Sequence, residues 1–217
     1  MRIIALFASL VVSSLCFADT NAERPNLDDP EVLKKIIDQA VELEAVKKAD
    51  GSLQYFEPLD FAPYQGSGWG VIYYENKKLH GLVQLKNGKT HGAFHKWYRS
   101  GQKKAVTTFN NGKLNGLGIT WYEHGQKESE ITVKNGVTDG LVVYWYENGQ
   151  KKGFTTFKNG KENGSSIAWH ENGQKKWEAN WEDGKKHGKA KRYDESGREI
   201  LSENYKQGEL VLPNKPE

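Results

Sequence analysis

The sequence contains a single cysteine, Cys16, and only 36% of its residues are hydrophobic. Cys16 lies in an apolar leader that we expect to be removed, so the exported chain can form neither a disulfide nor a cysteine-ligated metal site. Its stability must therefore come from side-chain packing and from hydrogen bonds between strands. Aromatic residues are plentiful by contrast, at 12%, and they suit a thin sheet whose core consists of large rings.

The apolar run at the N-terminus is too short for a membrane span, which needs about 20 apolar residues. Arg2 precedes this run, and small residues end it near Ala18, as is typical of a secretory signal peptide. A retained membrane anchor is the weaker alternative. A lipoprotein at Cys16 is weaker still, because the preceding Leu15 is bulky. We expect residues 1–18 to be a signal peptide, with cleavage after Ala18 and Ala22 as second choice. The protein would then be exported to the periplasm, the cell envelope or the medium.

Motifs for catalysis are also lacking from the sequence. It has no phosphate-binding loop, no nucleophile elbow and no metalloprotease helix motif. Its glutamates and lysines recur at a fixed interval, whereas an active site needs a few convergent groups with perturbed ionisation. His91 and His187 occupy the same position in different repeats, too far apart to coordinate one metal ion together, and a zinc site needs closely placed ligands. We therefore predict that the protein is not an enzyme and that it uses no cofactor and no metal.

Glycines and aromatic residues recur at a step of 24 positions. The first glycine series is Gly68, Gly92, Gly116, Gly140, Gly164 and Gly188. Two apolar series keep the same step, namely Tyr73, Trp97, Trp121, Trp145, Trp169, Tyr193 and Leu85, Phe109, Val133, Phe157, Trp181, Tyr205. Series in phase without insertions indicate a tandem repeat. Six repeats are predicted over residues 68–211, with the bounds 68–91, 92–115, 116–139, 140–163, 164–187 and 188–211.

The repeat at residues 140–163 contains two Asn-Gly pairs, and runs of about seven residues lie between them. Asn and Gly accept the left-handed backbone of tight hairpins, so each repeat is predicted to form two antiparallel strands. The predicted fold class is therefore mostly β, an elongated single-layer antiparallel sheet of tandem hairpins, with one N-terminal amphipathic helix.

The first turn of each repeat decides which side chains share a face of the sheet. A three-residue loop pairs Tyr146 with Gln150, whereas a two-residue loop would place Tyr146 with Phe157. We favour the three-residue loop because it collects the apolar residues Leu117, Ile119, Trp121, Ile131 and Val133 on one face. The predicted core series is Trp97, Phe109, Trp121, Val133, Trp145, Phe157, Trp169 and Trp181. The other face then carries a candidate partner-binding stripe formed by Tyr74, Tyr98, Tyr122, Tyr146 and His170.

The segment before the repeats is predicted to cap them. Residues 19–52 form a linker and an amphipathic helix over 28–50, with Asp29 as its N-cap and Pro30 in its first turn. Its apolar stripe would cover the first strand edge or the inner face of the sheet, or alternatively would bind a partner or a membrane surface. Residues 53–67 form a lead-in strand and a join, and residues 212–217 form a tail.

Charge divides the chain into complementary parts. Residues 19–65 hold 11 acidic and 5 basic residues, a net charge of −6, and residues 66–217 carry +8. The basic part is attractive to anionic lipid or cell-wall polymer. The whole exported chain has a net charge of only +2, so we expect no nucleic acid. Lys189, Lys191 and Lys206 argue against pairing of sheet edges between chains, so we expect a monomer.

The sequence of the repeat resembles a known family. Residues 145–152 read Trp-Tyr-Glu-Asn-Gly-Gln-Lys-Lys, and residues 157–161 read Phe-Lys-Asn-Gly-Lys. This unit is similar to the MORN-repeat variant of exported bacterial proteins grouped as YwqK-type toxin–antitoxin antitoxins, over residues 53–211. The resemblance implies an elongated sheet of hairpins that binds protein partners or associates with membranes.

We therefore predict an exported, non-enzymatic repeat scaffold for protein–protein interaction. The alternatives are an envelope-surface binder of anionic lipid or cell-wall polymer, and an antitoxin that neutralises a cognate toxin.

Overall fold

The computed structural model describes residues 25–47, 53–56 and 65–212. The predicted signal peptide at residues 1–18 lies outside the described residues, as does most of the predicted tail, so export and cleavage stay predictions. The described part is mostly β, with one helix near its N-terminal end. It consists of tandem hairpins in one long open sheet, which confirms the predicted fold class.

One sheet of 14 strands holds all the repeats, and from β4 onward each strand pairs with the strand that follows it in the chain. Before the repeats lie α1 (Pro30–Gln39), β1 (Val41–Glu42), β2 (Glu44–Lys47) and β3 (Leu53–Phe56). The repeat strands are β4 (Gly68–Tyr73), β5 (Leu79–Lys86), β6 (Lys89–Trp97), β7 (Lys103–Asn110), β8 (Lys113–Trp121), β9 (Lys127–Lys134), β10 (Val137–Trp145), β11 (Lys151–Lys158), β12 (Lys161–Trp169), β13 (Lys175–Glu182), β14 (Lys185–Tyr193), β15 (Glu199–Lys206) and β16 (Glu209–Leu210).

Two kinds of turn connect the strands. In the first turn of the fourth repeat, the Tyr146 N–H donates to the Gln150 carbonyl at 2.8 Å, which confirms the three-residue loop. In the second turn, Asn159 and Gly160 have φ values of 50° and 79°, the left-handed pair that a type I′ hairpin turn requires. The Gly160 N–H also donates to the Thr138 carbonyl at 2.8 Å, so successive turns along this edge are hydrogen-bonded to each other.

Each repeat contains a β-bulge that the sequence analysis did not predict. In the fourth repeat Tyr144 pairs with Gly153, but the next residue, Trp145, pairs with Lys151. Lys152 is therefore an extra residue in the second strand. One extra residue reverses which side chains of the two strands share a face.

The prediction that the Trp and Phe series share one face is therefore wrong. Leu117 pairs with Thr132, whereas Val133 pairs with Gly116, so Val133 lies on the face opposite Leu117, Ile119 and Trp121. We call the two surfaces the Trp face and the opposite face. The Trp face carries Trp97, Trp121, Trp145 and Trp169, and the opposite face carries Phe109, Val133, Phe157 and Trp181.

Helix α1 covers the beginning of the Trp face. Leu27 is buried in one cluster with Val71, Leu82 and Trp97 of the sheet. Val32, Leu33 and Ile36 of the helix pack against this cluster, as does Ala40, which directly follows the helix. The apolar stripe of the helix is therefore packed on the Trp face at the beginning of the sheet.

The helix begins as predicted but is shorter. The Asp29 carboxylate accepts a hydrogen bond from the Glu31 N–H at 2.9 Å, and Pro30 is the first helical residue, so both features of the predicted N-terminus are confirmed. The predicted extension to residue 50 is wrong, because the helix ends at Gln39.

The chain beyond the helix is extended because it hydrogen-bonds to the first repeat strand. Val41 pairs in parallel with Gly70, and the Leu43 N–H donates to the Val71 carbonyl at 2.8 Å. Leu43 is only 2% exposed, on the opposite face, where Gly70 has no side chain to exclude it. The predicted strand Leu53–Phe56 exists, but it pairs with β2 in a separate two-stranded sheet.

Candidate partner-binding surface

The predicted tyrosine stripe forms a ladder of hydrogen bonds between repeats. Each hydroxyl donates to a backbone carbonyl 23 residues later in the chain. The pairs are Tyr74 with Trp97, Tyr98 with Trp121, Tyr122 with Trp145 and Tyr146 with Trp169, at 2.7 to 2.8 Å. His170 continues the ladder, with its Nε2 3.0 Å from the Tyr193 carbonyl oxygen.

These hydroxyl groups are used within the protein, so they are not free to bind a partner. The rings are half-buried, and burial is the main cause that raises the pKa of Tyr98 and of Tyr122. A raised pKa keeps each phenol in the protonated form that donates the hydrogen bond. The stripe predicted as a binding surface therefore joins neighbouring repeats.

We expect Tyr122→Phe to lower the free energy of unfolding by about 1 kcal/mol, since it removes one hydrogen bond and leaves the ring in place. Urea unfolding followed by tryptophan fluorescence measures this difference. Tyr144→Phe is the matched control, because Tyr144 is 49% exposed and its hydroxyl makes no hydrogen bond within the described residues. Equal stabilities of the two variants would contradict the ladder.

The Trp face continues beyond helix α1 as an apolar surface that no described residue covers. Leu117 and Leu141 are 42% and 46% exposed. Their cross-strand partners on the same face are Thr132 and Thr156 respectively. The other apolar members of this uncovered Trp face are the half-buried Ile119, Trp121, Trp145, Phe154, Ile167 and Trp169, which surround the buried Val143. Contiguous exposed apolar surface is typical of interaction sites.

The sequence analysis missed Leu117 and Leu141 as surface residues. Both occupy the repeat position directly after the first glycine. The first repeat also has a large apolar residue there, Trp69, whereas the remaining repeats place Ala93, Ser165 or Lys189 there. Large apolar residues at this position beyond the first repeat were the available signal, but using it required the correct face assignment.

Two ion pairs interrupt the uncovered Trp face at equivalent positions. Lys127 Nζ lies 2.9 Å from a Glu130 carboxylate oxygen, and Lys175 Nζ lies 2.8 Å from a Glu178 carboxylate oxygen. The hydrogen bond with Glu178 raises the pKa of Lys175, and the same bond, with a second from the Tyr193 hydroxyl, lowers the pKa of Glu178. The fourth repeat has Phe154 at this position, so its surface is uninterrupted.

The opposite face is packed more closely in its middle. Val142 and Ser166 are buried there, and the Ser166 hydroxyl lies 2.6 Å from the Thr155 hydroxyl. Toward β15 this face opens into a cavity of about 640 Å³, whose lining includes Trp177 and Trp181.

Within residues 25–47, 53–56 and 65–212, no three His, Cys, Asp or Glu side chains come together as metal ligands. Over the same residues, no helix has the length and apolar character to cross a membrane.

Two segments of the chain are similar to a known repeat family, and the chain also has a weak structural match. Solved structures include a weak match to a crystal structure of a mutant S. aureus TarM in complex with Fondaparinux, alpha-GlcNAc-glycerol and UDP. That match has 11% identity and a TM-score of 0.30, and it covers 66% of this chain and 24% of the TarM chain. No curated protein matches the chain. Residues 114–135 and 138–159 each match the family model described as MORN repeat variant, so these two segments are similar to that repeat.

Proposed function

We propose that the protein is an exported, non-enzymatic scaffold that binds a protein partner through the uncovered Trp face. The observation that carries this proposal is the exposure of Leu117 and Leu141 on the same face as the half-buried Trp121 and Trp145. Tryptophan is enriched among the residues that dominate binding energy at protein interfaces. MORN repeats are in general repeats that interact with proteins or lipids, which supports the same role.

The apolar surface favours a protein partner because it lies on a rigid sheet. Side chains on strands are held by their cross-strand neighbours, so little conformational entropy is lost when a partner binds. Helix α1 already demonstrates that this face accepts apolar side chains, since Leu27 is buried against it with Trp97. The function therefore requires no catalytic group.

We expect the double variant L117E/L141E to lose its protein partner in affinity purification from the native host, with partners identified by mass spectrometry. A carboxylate placed against tryptophan rings would have to be desolvated on binding, which is unfavourable. Tyr144→Glu is the control, because Tyr144 is equally exposed but lies on the opposite face. Recovery of the same partner by wild type and by the double variant would contradict the proposal. N-terminal sequencing of the exported chain, expected to begin at Asp19, tests export.

A second candidate function is binding to an anionic surface, either lipid or cell-wall polymer. One edge of the sheet favours it, because lysines flank the type I′ turns on that edge. These lysines are exposed and include Lys86, Lys89, Lys113, Lys134, Lys158, Lys161, Lys185 and Lys206. Each basic residue near an anionic membrane contributes about 1 kcal/mol of attraction. Liposome co-sedimentation at low and high salt tests this candidate, and the absence of binding at low salt would exclude it for lipid.

The antitoxin role implied by the family resemblance belongs to the same class of protein binding. Co-expression with a toxin encoded beside this protein would test it directly.

A further inference from the structure

The site that holds helix α1 consists of residues at defined repeat positions. On the sheet, the helix and Leu27 pack with Trp69, Val71, Tyr73, Leu79, Leu82 and Trp97. Asp28, just before the helix, forms an ion pair with Lys103. This arrangement shows which side chains of the Trp face accept an amphipathic helix.

The residues that lie three repeats, or 72 positions, later in the chain have nearly the same chemistry as the residues of the α1 site. The equivalents of Trp69, Val71, Tyr73, Leu82, Trp97 and Lys103 are Leu141, Val143, Trp145, Phe154, Trp169 and Lys175. The rings of Phe154 and Trp169 are in contact, with centroids 5.9 Å apart. Every position that is apolar in the α1 site is apolar here except that of Leu79, where Lys151 stands.

The residues that lie one, two or four repeats after the α1 site do not match it in this way. The equivalent of Leu82 is Glu130 after two repeats and Glu178 after four repeats, and both carboxylates are ion-paired. After one repeat the set would include Trp97, which α1 already covers. Among the described repeats, the fourth repeat together with the start of the fifth therefore carries the set that matches the α1 site apart from the position of Leu79.

The two sites are far enough apart to be occupied together. Strands in a sheet are spaced by about 4.8 Å, so three two-stranded repeats separate the sites by roughly 29 Å. A helix with its side chains has a diameter of about 10–12 Å. A helix on the second site would not collide with α1.

We propose that Leu141, Val143, Trp145, Phe154 and Trp169 form a second helix site, which binds an amphipathic helix of the partner protein. This proposal rests on the proposed function and specifies the partner's chemistry. The apolar stripe of the partner helix follows the spacing of Val32, Leu33 and Ile36 in α1. Its polar side carries an acidic residue, because Lys151 pairs with Trp145 in the sheet and forms no ion pair within the described residues.

The probe for this site is a synthetic peptide of residues 25–40 of this chain. A lactam between Lys34 and Asp38, which form an ion pair in α1 at 2.7 Å, keeps the peptide helical so that its ordering does not mask binding. We expect isothermal titration calorimetry with the full chain to give one bound peptide. A peptide of the same composition with a scrambled apolar stripe should not bind.

Two variants at the same repeat position test the location. Leu141→Glu is expected to weaken peptide binding by at least about tenfold, because the carboxylate would be desolvated under the apolar stripe of the bound helix. Leu117→Glu, equally exposed but outside the second helix site, should leave the affinity within about twofold.

No binding of the helical peptide, or equal effects of Leu117→Glu and Leu141→Glu, would overturn the second helix site. Displacement of α1 by the peptide, detected as binding that survives Leu141→Glu, would also overturn it. The proposed function is judged separately by partner recovery with the double variant L117E/L141E. A partner that is recovered by wild type and lost from the double variant would leave that function standing even if the peptide does not bind.

Discussion

Deletion of one whole repeat, residues 140–163, is expected to leave a cooperatively folded protein, whereas deletion of half a repeat is expected to unfold the C-terminal part. Whole-repeat deletion joins Asp139 to Gly164, which occupies the same repeat position as Gly140. In the shortened protein, strand β9 would pair with β12 in the way that it pairs with β10 in the intact protein. The Tyr122 hydroxyl would donate its hydrogen bond to the Trp169 carbonyl instead of the Trp145 carbonyl. Each repeat contacts mainly its neighbours, so the loss is local.

The cost of the whole-repeat deletion follows from its length. Folded domains have a stability of about 0.05–0.15 kcal/mol per residue, so 24 residues correspond to about 1–4 kcal/mol. Urea unfolding by circular dichroism and tryptophan fluorescence should show one transition at a lower midpoint.

The half-repeat deletion removes residues 150–161, which include β11 and its type I′ turn. Every later strand would then run in the reverse direction in the sheet, and the ladder bond from Tyr146 to the Trp169 carbonyl could not form. We expect loss of the cooperative transition for the last repeats. Similar unfolding curves for the two deletions would contradict a sheet built from two-stranded repeats.

Leu82→Ala is expected to be the most damaging single substitution, lowering the free energy of unfolding by about 2–5 kcal/mol. Leu82 is 0% exposed, and its cluster joins the sheet to Leu27 and to helix α1. Truncation of Leu82 would leave a cavity between the sheet and helix α1, which are held together by this cluster. Chemical denaturation measures the loss.

Leu114→Ala is the matched control for Leu82→Ala. Leu114 lies on a repeat strand but is 38% exposed, so its truncation should cost about 1 kcal/mol or less. If both variants lost the same stability, helix α1 would not be packed on the sheet as described.

The features predicted correctly from the sequence are those that depend on local chemistry repeated many times. The type I′ turns follow from pairs such as Asn159 and Gly160, because few residues accept left-handed backbone. The three-residue loop before Gln150 was likewise readable from its glycine. The start of α1 was visible in Asp29 and Pro30, because caps have strong residue preferences.

The features that were not predicted depend on contacts across the sheet. Nothing in the sequence marks Lys152 as the bulged residue, because Lys151 and Lys152 are chemically alike. The bulge nevertheless decides which face of the sheet each aromatic side chain occupies. Helix α1 ends at Gln39 because Val41 gains a parallel strand partner, and an apolar stripe alone cannot reveal such a partner. The Tyr122 ladder bond to Trp145 requires the positions of neighbouring hairpins in space.

The central proposal is that the Trp face binds the partner protein where it continues beyond the part covered by α1. A photo-crosslinking amino acid placed singly at Leu141 or at Tyr144, in the native compartment, tests it most directly. The two positions are three residues apart in β10 and similarly exposed, but they lie on different faces. The account predicts a single crosslinked protein from position 141 and none from position 144. The same adduct from both positions, or an adduct from 144 alone, would contradict it.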